Sequence, residues 1–294
     1  MHRYMRAIGF GSMNNRHKLQ EILKETVKHP NKRDIVKNED NILLGEFCKD
    51  YANGLGIAVC GEFDEDEKFI FDYYYPYLEG SGITSYEDVS VERHAEKESY
   101  AGICDEIKLG ISLIFYLKNR IPYIKAQISD KLPVLGTTLT LSALSVSGTI
   151  MFSIQKDEEQ MQRVKQASVT RNNLMAAARK GDEDAIETLT LEDMDMYTAI
   201  SRRIQNEDVF SLVDTYFMPY GVECDQYSVL GEILDVRLVT NQITNEKVYI
   251  LTICSNELTF DVSINEKDLY GEPKVGRRFK GIVWLQGKIN YPEQ

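Results

Sequence analysis

A run of 23 residues without a charged side chain places the strongest constraint on how this chain can fold. The run, "PVLGTTLTLSALSVSGTIMFSIQ", extends from Pro133 to Gln155 and has the length of a membrane-spanning helix. Eight of its residues are serine or threonine, and polar and apolar residues alternate from Thr137 to Leu141. Because such alternation is typical of a strand with one buried face, the run predicts β-structure and no membrane span.

The alternation changes phase within this run, which narrows the prediction further. Leu139 and Leu141 share one face of an extended strand, whereas Leu144 and Val146 share the other. A β-bulge inserts one extra residue and shifts the phase in this way. We therefore expect bulged or paired β-strands between residues 137 and 155.

The composition is that of an ordinary globular protein. The chain has 294 residues, of which 43% are hydrophobic and 27% are charged, and its length predicts about two domains. The five cysteines are an odd number without CxxC spacing, and no signal peptide is visible. We therefore expect free thiols and a cytoplasmic location.

The first half of the chain predicts an antiparallel β-rich domain over residues 1–155. The opening stretch "YMRAIGF" predicts a strand. Leu19, Ile22 and Val27 then form one stripe of an amphipathic helix. Strand patterns follow at short spacing, separated by turns such as "ANG" and "EGSG". Five of them are "ILLGEFCKDY", "GLGIAVCGEF", "KFIFDYYYPY", "DVSVERH" and "KLGISLIFYL".

Helical patterns replace the strand patterns over residues 156–222. Gly181 is placed to end one helix and Asp182 to cap the next, and Thr190 with Asp193 predicts a further helix start. We expect this region to be a helical connector between two β-rich units.

Strand patterns return over residues 223–294. Four of them are "YSVLGEILDVRLV", "KVYILTIC", "ELTFDVSI" and "RRFKGIVWLQGKI". Short strands with glycines at bends predict a small β-barrel, OB-like as the first choice and SH3-like as the second. The predicted fold is therefore α+β: an N-terminal antiparallel β-rich domain with a packed helix, a helical connector and a C-terminal small β-barrel.

The segment "SVERHAEKESY" contains the best candidates for chemistry. Glu92, His94 and Glu98 share a face if the segment is a strand, and a histidine with two carboxylates suits an iron or zinc site. No second nitrogen or sulfur donor stands at a suitable spacing, so we expect no metal and no other cofactor. The competing interpretation is an edge strand with solvated acidic side chains. The alternative function is that of an enzyme whose site contains these three residues.

The most basic short run of the barrel region is "KVGRRFKG". It makes Arg277, Arg278 and Lys280 candidates for nucleic-acid binding, since OB barrels bind single strands with cationic faces. The region over residues 223–294 nevertheless has 11 acidic against 8 basic side chains, and the whole chain has a net charge of −12. Because nucleic-acid binding depends on cations that neutralise phosphates, we expect no useful nucleic-acid binding.

The final strand pattern predicts an interface. Side chains alternate along a strand, so Phe279, Val283 and Leu285 are expected to face the barrel core, while Lys280 and Gln286 face water. Ile282 and Trp284 fall on the outer face, where two large apolar groups need a cover. We predict that they dock on the helical connector. The alternative is a bulge that turns Trp284 into the barrel core.

Several segments together resemble a known family. They are "HRYMRAIGF", "VERHAEKESYAGICDE", "GISLIFYL", "DTYFMPYGVECDQYSVLGEI" and "GRRFKGIVWLQGKI". The chain resembles, over nearly its whole length, an uncharacterised family of clostridial proteins. The resemblance implies a Gram-positive anaerobe and a cytosolic setting, and it supplies no activity, ligand or catalytic residue.

The sequence thus predicts a non-catalytic binding or regulatory protein. We expect it to act through protein surfaces or a small ligand, since the chain has few histidines and none of the catalytic motifs considered. The partner is an unknown protein or small molecule, and neither nucleic acid nor a membrane is expected.

Overall fold

The computed structural model describes residues 1–13, 15–93, 99–132, 134, 136–154, 158–203, 213–222 and 224–292. It confirms the mixed α+β fold. The helices are a 3-10 helix over Arg3–Ile8, α1 over Arg16–Lys28, α2 over Arg120–Ile128, α3 over Glu158–Arg179 and α4 over Glu183–Arg203; a short 3-10 turn covers Glu266–Asp268. Among the described residues, no helix is both long and apolar enough to span a bilayer.

The first sheet contains four antiparallel strands in chain order, and we call it sheet A. Its strands are β1 over Lys32–Lys37, β2 over Leu43–Ala52, β3 over Leu55–Phe63 and β4 over Phe69–Leu78. The central strand β3 is buried from Leu55 to Gly61 because both faces of the sheet are covered. Helix α1 packs on one face through Leu19 and Ile22, as its stripe predicts.

Five strands close into a barrel. They are β8 over Thr138–Met151, β10 over Gln226–Thr240, β11 over Lys247–Ser255, β12 over Leu258–Asn265 and β14 over Arg278–Asn290. Around the barrel they follow the order β10, β11, β12, β8 and β14, and β14 pairs again with β10. Of these pairs only β12 with β8 is parallel. If β8 is counted as the last strand, this order is that of an OB barrel, the first of the two predicted types.

The uncharged run at residues 133–155 supplies the strand that closes the barrel. Strand β8 pairs with β14 along 12 positions, and the register shifts between Gly281 and Val283. On β8 this shift falls between Ser145 and Gly148, after Leu144. Leu139 and Leu141 face the barrel core and Leu144 faces the other core by regular alternation, and beyond the shift Ile150 packs on the barrel core again. The expected bulge is present, but it is not what separates Leu141 from Leu144, because both faces of this strand are buried. The boundaries at 155/156 and 222/223 stay predictions, although β8 joins the barrel from before the first of them.

Further strands extend the barrel sheet on one side. From β14 the sheet continues through β7 over Ile111–Leu117, β6 over Tyr100–Glu106 and β5 over Val89–Arg93. Two short strands, β9 over Tyr216–Pro219 and β13 over Leu269–Tyr270, pair with β10 and β8. Phe115 of β7 lies between Gly102 and Gly287, and a Cβ atom at either glycine would come within 2.2 Å of its ring.

Two apolar cores share the barrel wall. The inner core contains Phe279, Val283 and Leu285 of β14, as predicted. The outer core lies between the barrel and sheet A, and the N-terminal 3-10 helix fills its centre with Met5 and Ile8. The prediction of a strand for "YMRAIGF" is therefore wrong. A helix suits this place better, because its residues bury side chains against both sheets at once.

Trp284 lies in the outer core. Its ring is stacked on Tyr4 at 5.3 Å between centroids and contacts Tyr116 at the same distance. Its Nε1 donates a hydrogen bond of 2.6 Å to Asp225. The outward orientation was predicted correctly, but the predicted partner was wrong, since the N-terminal helix covers this face. Ile282 is half-buried.

A buried polar seam fastens sheet A to the barrel. Strand β4 is the edge strand of sheet A in the described chain, and side chains of other strands pair with its last residues. Gln286 of β14 donates to the carbonyl of Pro76 at 2.8 Å and accepts from the N–H of Leu78 at 3.4 Å. Gln286 is fully buried, so the prediction that it faces water is wrong.

Lys118 and Ser142 complete this seam. The hydroxyl of Ser142, on β8, donates to the carbonyl of Leu78 at 2.8 Å. The ammonium of Lys118, which follows β7, donates to the same carbonyl and to the Ser142 hydroxyl at 3.0 Å. Burial lowers the pKa of Lys118 to about 8. We call Lys118, Ser142 and Gln286 the polar seam.

The connector is a helical hairpin whose two ends meet at one arginine. Gly181 has a φ of 88° between α3 and α4, and Asp182 accepts a capping hydrogen bond from the N–H of Ala185, both as predicted. Helix α4 continues through residue 190, so the predicted helix start at Thr190 and Asp193 is wrong. The guanidinium of Arg278 donates to the carbonyls of Phe152, Val213 and Asp214, which lie near the two ends of the helical connector.

The polar seam predicts a pH-dependent stability. An unfolded lysine keeps its proton up to its ordinary pKa of 10.5, whereas buried Lys118 loses it near 8. Between these values the unfolded state binds more protons, so stability rises with pH. Relative to Lys118→Met, the unfolding free energy of the natural protein should increase by about 1–2 kcal/mol between pH 8 and 9.5. Denaturant titrations of both proteins measure this, and parallel pH profiles would contradict it.

The position of Trp284 predicts a fluorescence change. In Tyr4→Ala the stacked ring is lost, so the emission of Trp284 should shift to the red and become more accessible to acrylamide. The lost packing should lower the unfolding free energy by about 3 kcal/mol. Tyr86→Ala is the matched control, because Tyr86 is 76% exposed. Equal quenching in the two variants would show that Tyr4 does not cover Trp284.

The contacts of Arg278 predict how the connector is anchored. Arg278→Ala should lower the unfolding free energy by about 3 kcal/mol, because charge-assisted hydrogen bonds to three backbone carbonyls are lost. Proteolysis within the connector should also accelerate. In Arg277→Ala, whose guanidinium lies partly exposed beside Glu272, the loss should be about 1 kcal/mol or less. The anchoring role fails if both variants are cleaved at the same rate.

Candidate ligand-binding site

The structure describes only part of the predicted catalytic segment. Glu92 is exposed on β5, opposite Ala101 of β6. His94 and Glu98 lie outside the described residues. Within the described ranges, no three histidine, cysteine or acidic side chains are close enough to hold a metal ion. The role of the three residues therefore stays a prediction.

The three candidates for nucleic-acid binding lie in different surroundings. Arg278 is buried and bonded to carbonyls, as described above. Arg277 donates to the carbonyl of Glu272 at 2.8 Å and lies over the ring of Phe152. Lys280 is half-buried on β14. Arg278 is thus committed to a structural contact, and the nucleic-acid role of all three stays a prediction.

The usual ligand face of an OB barrel is covered in this protein. That face is centred on the second and third strands, which here are β11 and β12. Val248 and Ile250 of β11 are buried in the outer core. Asp261 of β12 is also buried, and it accepts from the N–H and hydroxyl of Ser81 at 2.9 and 2.7 Å. A ligand would have to displace the protein's own segments to reach these strands.

A buried ion pair lies where α2 meets sheet A. Arg120 Nε donates to Glu46 at 3.1 Å, and the side chains are 2% and 4% exposed. The thiol of Cys60 donates to the same carboxylate at 3.6 Å. Burial raises the pKa of the Cys60 thiol well above its ordinary range, so it stays protonated and is a poor nucleophile. Arg120 lines a small recess of about 230 Å³, and we assign the buried pair a structural role.

An open recess of about 1060 Å³ lies between α1 and the turn at Ile243 and Thr244. Its lining is mainly polar and charged, and none of the buried unpaired polar atoms of the described residues belongs to it. Ligand sites are usually enclosed and largely apolar. This recess therefore ranks behind the site described next.

A mostly apolar pocket of about 340 Å³ lies at one end of the barrel. Strands β5 and β6, helix α2, the segment that leads into β8 and the end of β14 form its walls. Its apolar and aromatic lining consists of Val89, Ile103, Tyr123, Leu132, Val134, Ile289 and Tyr291, and its polar lining of Asp88, Ser90, Asp105 and Thr137. Volume and lining are those of a small-ligand site.

Tyr291, which lines this pocket, has an unusual polar group. Its hydroxyl is buried without a hydrogen-bond partner, and such a group normally costs free energy. Burial and the neighbouring Tyr123 raise the pKa of Tyr291 to about 12. The hydroxyl therefore stays protonated at neutral pH and keeps a proton to donate.

A second pocket of about 240 Å³ adjoins the first at Tyr123. Residues Val91 and Arg93 of β5 line it directly beyond the part of β5 that lines the first pocket. Its other lining residues are Asn38, Glu39, Asp40, Tyr100, Ile124, Gln127 and Ile128. The rings of Tyr100 and Tyr123 are 5.9 Å apart between centroids. We call the two pockets together the tyrosine groove, the larger one its apolar half and the smaller one its polar half.

Helix α2 positions Tyr123 between the two halves. Ile121 and Ile124 are buried in the inner core, and this fixes the helix so that Tyr123, between them in sequence, reaches the surface. Sequence reasoning missed this helix and hence the groove. The stretch "RIPYIKAQI" carries a weak signal, with apolar residues at a spacing of three and a proline in the first turn.

Comparisons with known proteins assign a family but no activity. A search of curated proteins and a search of solved structures each found no match. A sequence profile described as "Domain of unknown function, E. rectale Gene description (DUF3881)" matches residues 5–287. This confirms the predicted resemblance to an uncharacterised clostridial family. Since the match covers nearly the whole chain, the protein belongs to this family of unknown function.

Proposed function

We propose that this protein is a non-catalytic binding or regulatory protein of the cytoplasm that holds a small, mainly apolar ligand in the tyrosine groove. The observation that carries the proposal is the apolar half of the groove, a pocket of about 340 Å³ lined by seven apolar or aromatic side chains. Water in such a pocket makes few hydrogen bonds, so an apolar ligand gains free energy by displacing it.

The polar groups of the apolar half support the same proposal. A few polar side chains among apolar ones give a ligand its orientation. Ser90 and Thr137 line the pocket, and the hydroxyl of Tyr291 has no partner within the described protein. A ligand that reached this hydroxyl would relieve the cost of its burial.

Two other functions are less well supported. An enzyme based on Glu92, His94 and Glu98 would use the carboxylate of Glu92, which is exposed to solvent on β5 and lines neither half of the tyrosine groove. A nucleic-acid site would use cations that already have partners: Arg277 donates to the carbonyl of Glu272 and lies 4.0 Å from its carboxylate, and Arg278 donates to backbone carbonyls.

A neutral aromatic probe tests the proposed function. We expect 4-methylphenol to bind the full-length protein with a dissociation constant on the order of 1 mM, as is usual for a ligand of this size. Saturation-transfer NMR measures the binding. Ser90→Trp, which places a large ring in the apolar half, should abolish it.

The matched control is Ser147→Trp, since Ser147 is an exposed residue of β8 that does not line the groove. This variant should bind the probe as the natural protein does. No saturation transfer to the natural protein, or equal transfer to Ser90→Trp, would refute the proposal.

A further inference from the structure

The tyrosine groove has a strong charge asymmetry. Asp88 and Asp105 line its apolar half, and Glu39 and Asp40 line its polar half. Among the described residues that line either half, Arg93 is the one cation. Four carboxylates against one guanidinium give the lining a net charge of −3. A cation is therefore attracted to the groove, and an anion is repelled.

The acidic charge is spread over both halves: Asp88 and Asp105 give the apolar half a charge of −2, and Glu39, Asp40 and Arg93 give the polar half −1. The direction of a bound ligand follows from the apolar lining. The apolar half suits a hydrocarbon chain, since apolar side chains form most of its wall. The polar half, beyond Tyr123, contains Glu39 and Asp40 in the turn between β1 and β2. A ligand that fills both halves thus has an apolar tail at one end and a polar group at the other.

Aromatic rings strengthen the preference for a cation. Tyr123 belongs to both halves, and the ring of Tyr100 lies 5.9 Å from it. An ammonium group near the face of a tyrosine is attracted by the electrons of the ring. Carboxylates beside such rings select a cation over a neutral group of the same size.

We propose that the ligand of the tyrosine groove is a small amphiphile with an aliphatic or aromatic tail and one ammonium group, the tail lying in the apolar half and the ammonium in the polar half. This inference rests on the proposed function and adds the chemical class of the ligand. The carboxylates of Glu39 and Asp40 neutralise the ammonium, and Tyr123 contacts the junction of head and tail.

Three probes that share one tail test the ligand class. They are hexylammonium, hexan-1-ol and hexanoate, titrated into the full-length protein at low salt by isothermal calorimetry. We expect hexylammonium to bind at least tenfold more tightly than hexanoate, with hexan-1-ol between them. The preference should weaken as salt is added, because ions screen the carboxylates. Each further methylene in the tail should tighten binding about three- to fourfold until the apolar half is full.

Two variants separate head from tail. In Glu39→Gln combined with Asp40→Asn, hexylammonium should bind about as tightly as hexan-1-ol, while hexan-1-ol itself is unaffected. In Ser90→Trp all three probes should lose binding. Ser147→Trp is the control for both effects, since it should change neither.

The outcomes distinguish the two proposals. If hexan-1-ol binds and the ammonium gains nothing over hexanoate, the ligand class is wrong and the binding function stands. If neither hexan-1-ol nor 4-methylphenol binds, the function proposed for the groove is wrong as well. A preference for hexylammonium that survives in the double variant would also overturn the inference, because the head would then lie elsewhere.

Discussion

The last residues of β4 have buried backbone groups that take their hydrogen-bond partners from other parts of the structure. They lie at the edge of sheet A and are buried against the barrel, so their backbone groups need partners that a neighbouring strand does not supply. The polar seam supplies them from three strands or strand ends: Lys118 after β7, Ser142 on β8 and Gln286 on β14. An unpaired buried backbone group costs about 1–3 kcal/mol. The seam therefore sets the position of sheet A on the barrel, because a shift of one residue would leave several such groups unpaired.

This placement of sheet A decides which surfaces are open to ligands. The barrel face around β11 and β12 is closed by the N-terminal helix and sheet A. The other side of the barrel is extended by β7, β6 and β5, and α2 packs between this extension and β1. The tyrosine groove lies in that corner, beside β5, which is the last strand of this sheet among the described residues. Because the barrel face around β11 and β12 is closed, the groove lies on the other side of the barrel. There the inner core holds α2 through Ile121 and Ile124, and α2 places Tyr123 in the groove.

Sequence reasoning succeeds where a pattern is local and fails where partners are distant. The two faces of β14 follow from a period of two, which a sequence displays directly. In β8 the apolar residues change from one face to the other at Leu144 because both faces are buried, and the bulge lies beyond that residue. The wrong predictions concern what covers a face: Gln286 was expected in water, and Trp284 against the connector. Their partners, Pro76 and Tyr4, are more than 200 residues away in the chain, and no local sequence pattern predicts contacts over that separation. The groove was missed for the same reason, since Val89, Tyr123 and Tyr291 come from three separate segments.

The central claim is that the barrel and sheet A form one cooperative unit joined by the polar seam, and hydrogen exchange of the full-length protein tests it most directly. The amides of β3 and β4 should exchange with the same opening free energy as those of β8 and β14, because neither sheet can open without exposing the buried groups of the seam. Gln286→Ala should lower the protection of both sets equally. Exchange of sheet A at a clearly lower free energy than the barrel, with the barrel unaffected by Gln286→Ala, would show two independent units and contradict the account.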